Sequence, residues 1–135
     1  MEKIKKLWEV AGKTIPEPYL RNVQMVYTPQ LDEGVKDISL LIATLYPVNG
    51  KNELHAHDVD ELMIFTSGRG EALVDGKWHL LEPGTVLYIP SGDEHQCLNY
   101  SDDAMRIICV YTPSLSDEAV KKITEGTNVR CEKII

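Results

Sequence analysis

Gly50-Lys51-Asn52-Glu53-Leu54-His55-Ala56-His57-Asp58-Val59-Asp60-Glu61 is the stretch whose reading decides the fold. His55 and His57 stand two residues apart, so on a β-strand both imidazoles point to one face. Glu61 follows Asp58-Val59-Asp60, a short polar break able to turn the chain. Leu62-Met63-Ile64-Phe65 then reads as a new apolar strand. Antiparallel pairing of that strand with the one carrying the histidines would return Glu61 beside them. Two imidazoles and a carboxylate on one concave face suit a metal ion. A fourth ligand is needed, and the remaining residues of the right type are His79 and His95.

Outward from this stretch the pattern is strands and turns. Upstream, Asn22 to Thr28 alternates as a strand, and Ile38 to Tyr46 is apolar on both faces before the Asn49-Gly50 turn. Downstream, Glu71 to Val74 and Lys77 to Leu81 flank Asp75-Gly76, a two-residue hairpin signal. Thr85 to Ile89, His95 to Tyr100 and Ala104 to Thr112 follow, separated by Pro/Gly/Ser/Asp turns. Short strands with such frequent turns predict an all-β sandwich or barrel. Helices are expected only at the ends. Ile4, Leu7, Trp8 and Ala11 are helically spaced over Glu2 to Ala11, with Gly12 as a stop. Ser114 to Glu125 has a serine cap region, early acids, late lysines and Gly126 beyond its end.

Bulk properties narrow the classes. A chain of 135 residues suits one domain, which is expected to span 1–135. Its barrel core is placed at about 38–112, after an extension 1–37 and before a helix at about 115–126 and a tail. The formal net charge of −7 argues against a nucleic-acid partner. No apolar run is long enough to cross a membrane, and no signal peptide is legible. Cys97, Cys109 and Cys131 are odd in number and widely spaced, which points to free thiols and a cytoplasmic location.

The stretch gains its meaning from a second one, Gly84 to Asn99, and together they resemble the cupin family of small jelly-roll β-barrels. One family motif is Gly, five residues, His-x-His, three or four residues, Glu, six residues, Gly. Gly50, His55, His57, Glu61 and Gly68 match it, except that four residues rather than five separate Gly50 from His55. The other is Gly, five residues, Pro-x-Gly, two residues, His, three residues, Asn. Gly84, Pro90, Gly92, His95 and Asn99 match it throughout. The resemblance implies a cupin double-stranded β-helix with one divalent metal ion bound by His55, His57, Glu61 and His95. His79 matches no motif position. Neutral imidazole and carboxylate suit Mn, Fe, Co, Ni, Cu or Zn, and affinity order does not choose among them.

Other residues are placed by strand parity. Glu53 shares parity with His55 and His57, as a candidate acid/base group, an outer partner of the ligands or a rim carboxylate. Met63 and Phe65 share parity with Glu61, and Cys97 with His95, so all three are candidates for the cavity wall. Tyr46, Tyr88 and Arg106 are further lining candidates, Arg106 as the partner of an anionic substrate or else facing outward. Asp58, Asp60, Asp93 and Glu94 flank the ligands and would make the rim acidic, or else lie in solvated loops. The resemblance implies a small-molecule ligand for a metal-dependent enzyme: a dioxygenase, a decarboxylase, or a sugar-type isomerase or epimerase. The alternative is a non-catalytic binding or sensing module using the same cavity. Two strands apolar on both faces also predict a homodimer that buries one of them.

Overall fold

Two apolar stretches, β3 (Ser39–Leu45) and β9 (Met105–Thr112), pair antiparallel from Ser39 opposite Tyr111 to Leu45 opposite Met105. In the computed structural model they form the centre of a seven-stranded sheet. Residues 1–125 and the backbone of 129–130 are described. The other members are β1 (Ala11–Ile15), β2 (Arg21–Tyr27), β4 (Asp60–Phe65), β7 (Val86–Ile89) and β10 (Val129–Arg130). Their order is β10-β1-β2-β3-β9-β4-β7. A second sheet of order β6-β5-β8 is made by β5 (Gly70–Val74), β6 (Lys77–Leu81) and β8 (His95–Asn99).

The core lies between the two sheets, as strand parity requires. Met105, Ile107, Cys109 and Tyr111 of β9 are buried, whereas the residues between them are half-buried. Met63 and Phe65 of β4, Leu81 of β6 and Cys97 of β8 meet them from other strands. A side chain such as Phe65, 1% exposed, contributes about 1.5–3 kcal/mol when fully buried. The all-β barrel expected from the turn spacing, a jelly roll by the family resemblance, is therefore the fold. The Asp75-Gly76 hairpin forms as read, with φ of 53° and 74° at its two turn residues.

At the ends of the chain the outcome is mixed. The helix expected over Glu2 to Ala11 does not form: Leu7–Glu9 makes a single 3-10 turn, and strand begins at Ala11. So short a segment gains little as an isolated helix, and its backbone is claimed from outside. The Gln24 Nε2 donates to the carbonyls of Leu7 and Val10 at 2.7 and 3.0 Å. Lys5 reaches the carbonyl of Val26 and the carboxylate of Asp32. β1 and β2 thus join the sheet, which starts well before residue 38. At the other end α1 (Asp117–Thr124) forms, capped by Ser116, whose side chain accepts from the Ala119 N–H at 3.1 Å. The stop expected at Gly126 and the thiol of Cys131 lie outside the described residues.

Candidate metal centre

The histidine stretch is not the strand that its alternation suggested. It runs as irregular chain beside β8, joined by isolated bridges that pair Lys51 with Leu98 and His55 with His95. His55 and His95 exchange both backbone hydrogen bonds, at 3.1 and 2.9 Å. β4 pairs instead with β9 and β7. Glu61 therefore meets the histidines across the barrel, from the opposite sheet, and not as a hairpin neighbour. Asp58 and Val59 carry the chain across, and Val59 plugs into the core.

Several motif residues hold this arrangement in place. Gly92 takes φ +87°, and its N–H donates to the His57 carbonyl at 2.7 Å, pinning the ligand loop to the turn before His95. A side chain at Gly50 would meet the Tyr46 backbone at 2.5 Å. Asn99 is fully buried, donates to the carbonyls of Leu45 and Asp103, and accepts from Ser101. It ties β8 to β3, and so the small sheet to the large one.

Four donor atoms converge. The Nε2 atoms of His55 and His57 lie 3.0 Å apart, Nε2 of His95 is 3.1 Å from Oε1 of Glu61, and Nε2 of His57 is 3.4 Å from the same oxygen. The donor atoms of His55, His57 and His95 all fall within 4.8 Å of one another. Ligands bound at about 2.1 Å would be separated by about 3.0–3.4 Å around one tetrahedral or octahedral ion. The three imidazoles could hold a metal ion, and the Glu61 carboxylate stands against two of them. Nδ1 of His55 contacts the Glu53 carbonyl at 2.7 Å, and Nδ1 of His95 the Asp93 carbonyl at 3.1 Å. A carbonyl only accepts, so both rings carry a proton on Nδ1 and turn Nε2 toward the cluster.

The electrostatics follow from a buried carboxylate between imidazoles. Burial pushes Glu61 up, but hydrogen bonds from His57 and His95, and their charges, overturn it and hold the carboxyl at about 2. For His95 burial works downward, yet the hydrogen bonds to Glu61 and to the Asp93 carbonyl leave it raised. His55 is lowered, by burial first and by the other two imidazoles. Tyr111, unnoticed in the sequence, packs edge-on against His57 with ring centroids 5.1 Å apart. Parity with the core residues of β9 was the only signal for it.

His55, His57 and Glu61 lie in the wall of a cavity of about 680 Å³, with Met63, Ile107, Cys109 and Tyr111 also lining it, whereas His95 is buried and not part of the lining. Glu53 stands in the wall as well. Its carboxylate is taken by Arg21 at 2.9 and 3.1 Å, and for all the cost of burial a hydrogen bond from its own backbone N–H and then Arg21 keep it below the usual range.

Of the other lining candidates only Met63 reaches the cavity. Phe65 lies deeper along β4 and is sealed in the core. Cys97 is likewise sealed behind His95, its thiol pushed up to about 12 by burial and then by Glu61. Tyr46 is not among the lining residues. Tyr88 pairs with Leu62 on the outer face, is 59% exposed and donates to Asp60. Arg106 pairs with Thr44 on that face, opposite in parity to buried Met105 and Ile107. Asp58, Asp60, Asp93 and Glu94 are not among the residues that line the cavity. His79 is exposed on the edge strand β6.

A family model for the cupin domain matches residues 43–111, just over half of the chain. The chain belongs to the cupin family. Among its relatives, glucose-6-phosphate isomerase of Pyrococcus furiosus is 29% identical over 116 residues, covering 76% of this cupin and 61% of that protein. The transcriptional activator RhaS of Mannheimia succiniciproducens is 46% identical over 48 residues, 36% of this chain and 18% of that one. This cupin thus spans less than two thirds of the length of these relatives. In fold it is similar to the polyketide cyclase RemF of Streptomyces resistomycificus, at a TM-score of 0.70 and 18% identity, covering 90% and 92% of the two chains. Among the described residues no helix is long and apolar enough to cross a membrane.

The shared carboxylate makes acid stability a test of this cluster. Glu61 is depressed from an ordinary value of 4.5 to about 2, so it contributes stability above 4.5 that is lost as pH falls toward 2. His95, being raised, acts with the opposite sign: its contribution is complete below the ordinary histidine value and fades as pH rises through its own. In metal-free Glu61→Gln the loss of stability between pH 5 and pH 3 should be smaller than in the parent, as read by urea unfolding. An unchanged loss would contradict the assignment.

Proposed function

We propose that this cupin is a metal-dependent enzyme acting on a small oxygen-rich molecule, with one divalent ion held by His55, His57, Glu61 and His95. One observation carries the reading. Three imidazole donors close enough to share one ion, with Glu61 against two of them, stand at an open cavity large enough for a small substrate, which His55, His57 and Glu61 line. A bound ion of this kind supplies Lewis acidity toward a substrate or water oxygen. The chain's own residues set the rest. His55 and His95 are oriented by carbonyls, Tyr111 fixes the plane of His57, and Met63 and Ile107 keep the inner wall apolar and exclude water.

Glu53 acts mainly through its carbonyl on His55. Its carboxylate, kept ionised by Arg21, suits accepting a proton better than supplying one. Of a dioxygenase, a decarboxylase and a sugar-type isomerase or epimerase, the last has support from the likeness to glucose-6-phosphate isomerase. The likeness to RhaS favours a second reading, a sensing module that holds a ligand without turnover. Buried, unpaired Cys97 and Cys109 support a cytoplasmic location.

The proposed homodimer is supported by the outer face of the large sheet. Ile64 pairs with Ile108 and Val86, and Leu62 with Val110 and Tyr88, giving two uncharged rows across β9, β4 and β7. Val86 and Tyr88 are more than half exposed. For copies that each carry a net charge of −7, an uncharged apolar patch is where close approach costs least.

Two measurements test these proposals. Metal-reconstituted protein, screened against hydroxy acids, diketones and sugars, should show turnover that falls at least about 100-fold in His57→Ala, as expected when a ligand to the reactive ion is removed. Saturable binding with no turnover on any of them would favour the sensing module. Light scattering at micromolar concentration should give twice the chain mass, and Tyr88→Lys should return it to the monomer. A monomeric parent would reject the dimer.

A further inference from the structure

The opening of the cavity has a charge opposite to that of the chain as a whole. Five residues that carry full charges line the cavity: Lys13, Arg21, Glu53, Glu61 and Lys122. Glu61 is engaged by the histidines, and Arg21 is neutralised by Glu53. That leaves Lys13 of β1 and Lys122 of α1 with no carboxylate of the lining against them. They come together because the Lys13 ammonium donates to the backbone carbonyl of Lys122 at 3.0 Å, which clips β1 to the helix. Ala119 and Ile123 of α1 pack on the core beneath, so the helix presents Lys122 from a seated position. Between these lysines and the histidine cluster the wall includes Val23, Leu41, Ala43 and Leu45, a run of apolar side chains.

We infer that Lys13 and Lys122 form an anion subsite that holds the oxyanion tail of the substrate, a carboxylate or phosphate, whose oxygen-bearing other end faces the histidine cluster. This rests on the enzymatic reading above and adds a substrate class to it: a small molecule with a short apolar or neutral middle and one distal anionic group. On a chain of net charge −7, two ammonium groups at the opening, with no carboxylate paired to them among the described residues, set up a local positive field that steers an anion inward. They also discriminate against neutral analogues, whose binding would leave both charges without a partner.

The test compares probes that share one end and differ in the tail, by calorimetric titration of the metal-reconstituted protein. 2-Oxoglutarate carries a distal carboxylate, 3-phosphohydroxypyruvate a distal phosphate, and 2-oxopentanoate neither. The parent should prefer one of the anionic-tail probes over 2-oxopentanoate by about tenfold or more, the scale of one charge-assisted hydrogen bond. Which of the two binds tighter tells carboxylate from phosphate. The preference should weaken with added salt, collapse in Lys13→Met/Lys122→Met and return in Lys13→Arg/Lys122→Arg. Metal content, measured on the same samples, should not change between these proteins. No preference in the parent, or one that survives the methionine pair, overturns the subsite. A lysine-dependent preference in protein that cannot be loaded with metal would leave the subsite standing and remove the metal reading instead.

Discussion

A carboxylate buried between two imidazoles is the constraint on which the rest of this structure depends. Glu61 is 2% exposed and His95 1%, and isolated charges so placed would be costly to desolvate. They are tolerable because Glu61 projects from the large sheet and His95 from the small one, so that their 3.1 Å contact closes the gap between the layers. The charge pair and the fold thus need each other. Removing the carboxylate leaves imidazoles crowded against one another, and parting the sheets leaves the carboxylate alone in an apolar core.

Everything near the cluster serves to keep its donors at one point without a regular strand to do so. A strand would fix His55 and His57 by its pleat. Here the Glu53 carbonyl, the Gly92 N–H and the backbone exchange with His95 do the same work. Irregular chain gives each imidazole a separate tether, which allows the two rings to stand nearly perpendicular, at 84°, with both Nε2 atoms inward. The cost is borne by backbone positions suited to glycine, of which Gly92 is the clearest.

The strands and the cluster were largely legible in the sequence, and the reasons are physical. The Asp-Gly turn and the spacing of His55, His57 and Glu61 are local patterns, and local patterns survive folding; His95 was singled out from His79 by the family motif it completes. What misled was context that only the tertiary structure supplies. Helical spacing in Glu2 to Ala11 was real, but Gln24 and Lys5 claim carbonyls that a helix would have used. Parity placed Phe65 on the inner face correctly without revealing that the core seals it from the cavity. Arg106 and Tyr88 followed their strands to the outer face. The lysines at the opening left no trace at all, since Lys13 and Lys122 meet only through the fold.

The central claim is that one ion binds where the two sheets meet. Elemental analysis of untagged protein, purified without chelators, beside a His55→Ala/His95→Ala variant tests it most directly. The account predicts close to one transition-metal ion per chain in the parent and its loss in the variant. A parent that holds no metal even after reconstitution, or a variant that keeps its metal, would contradict it.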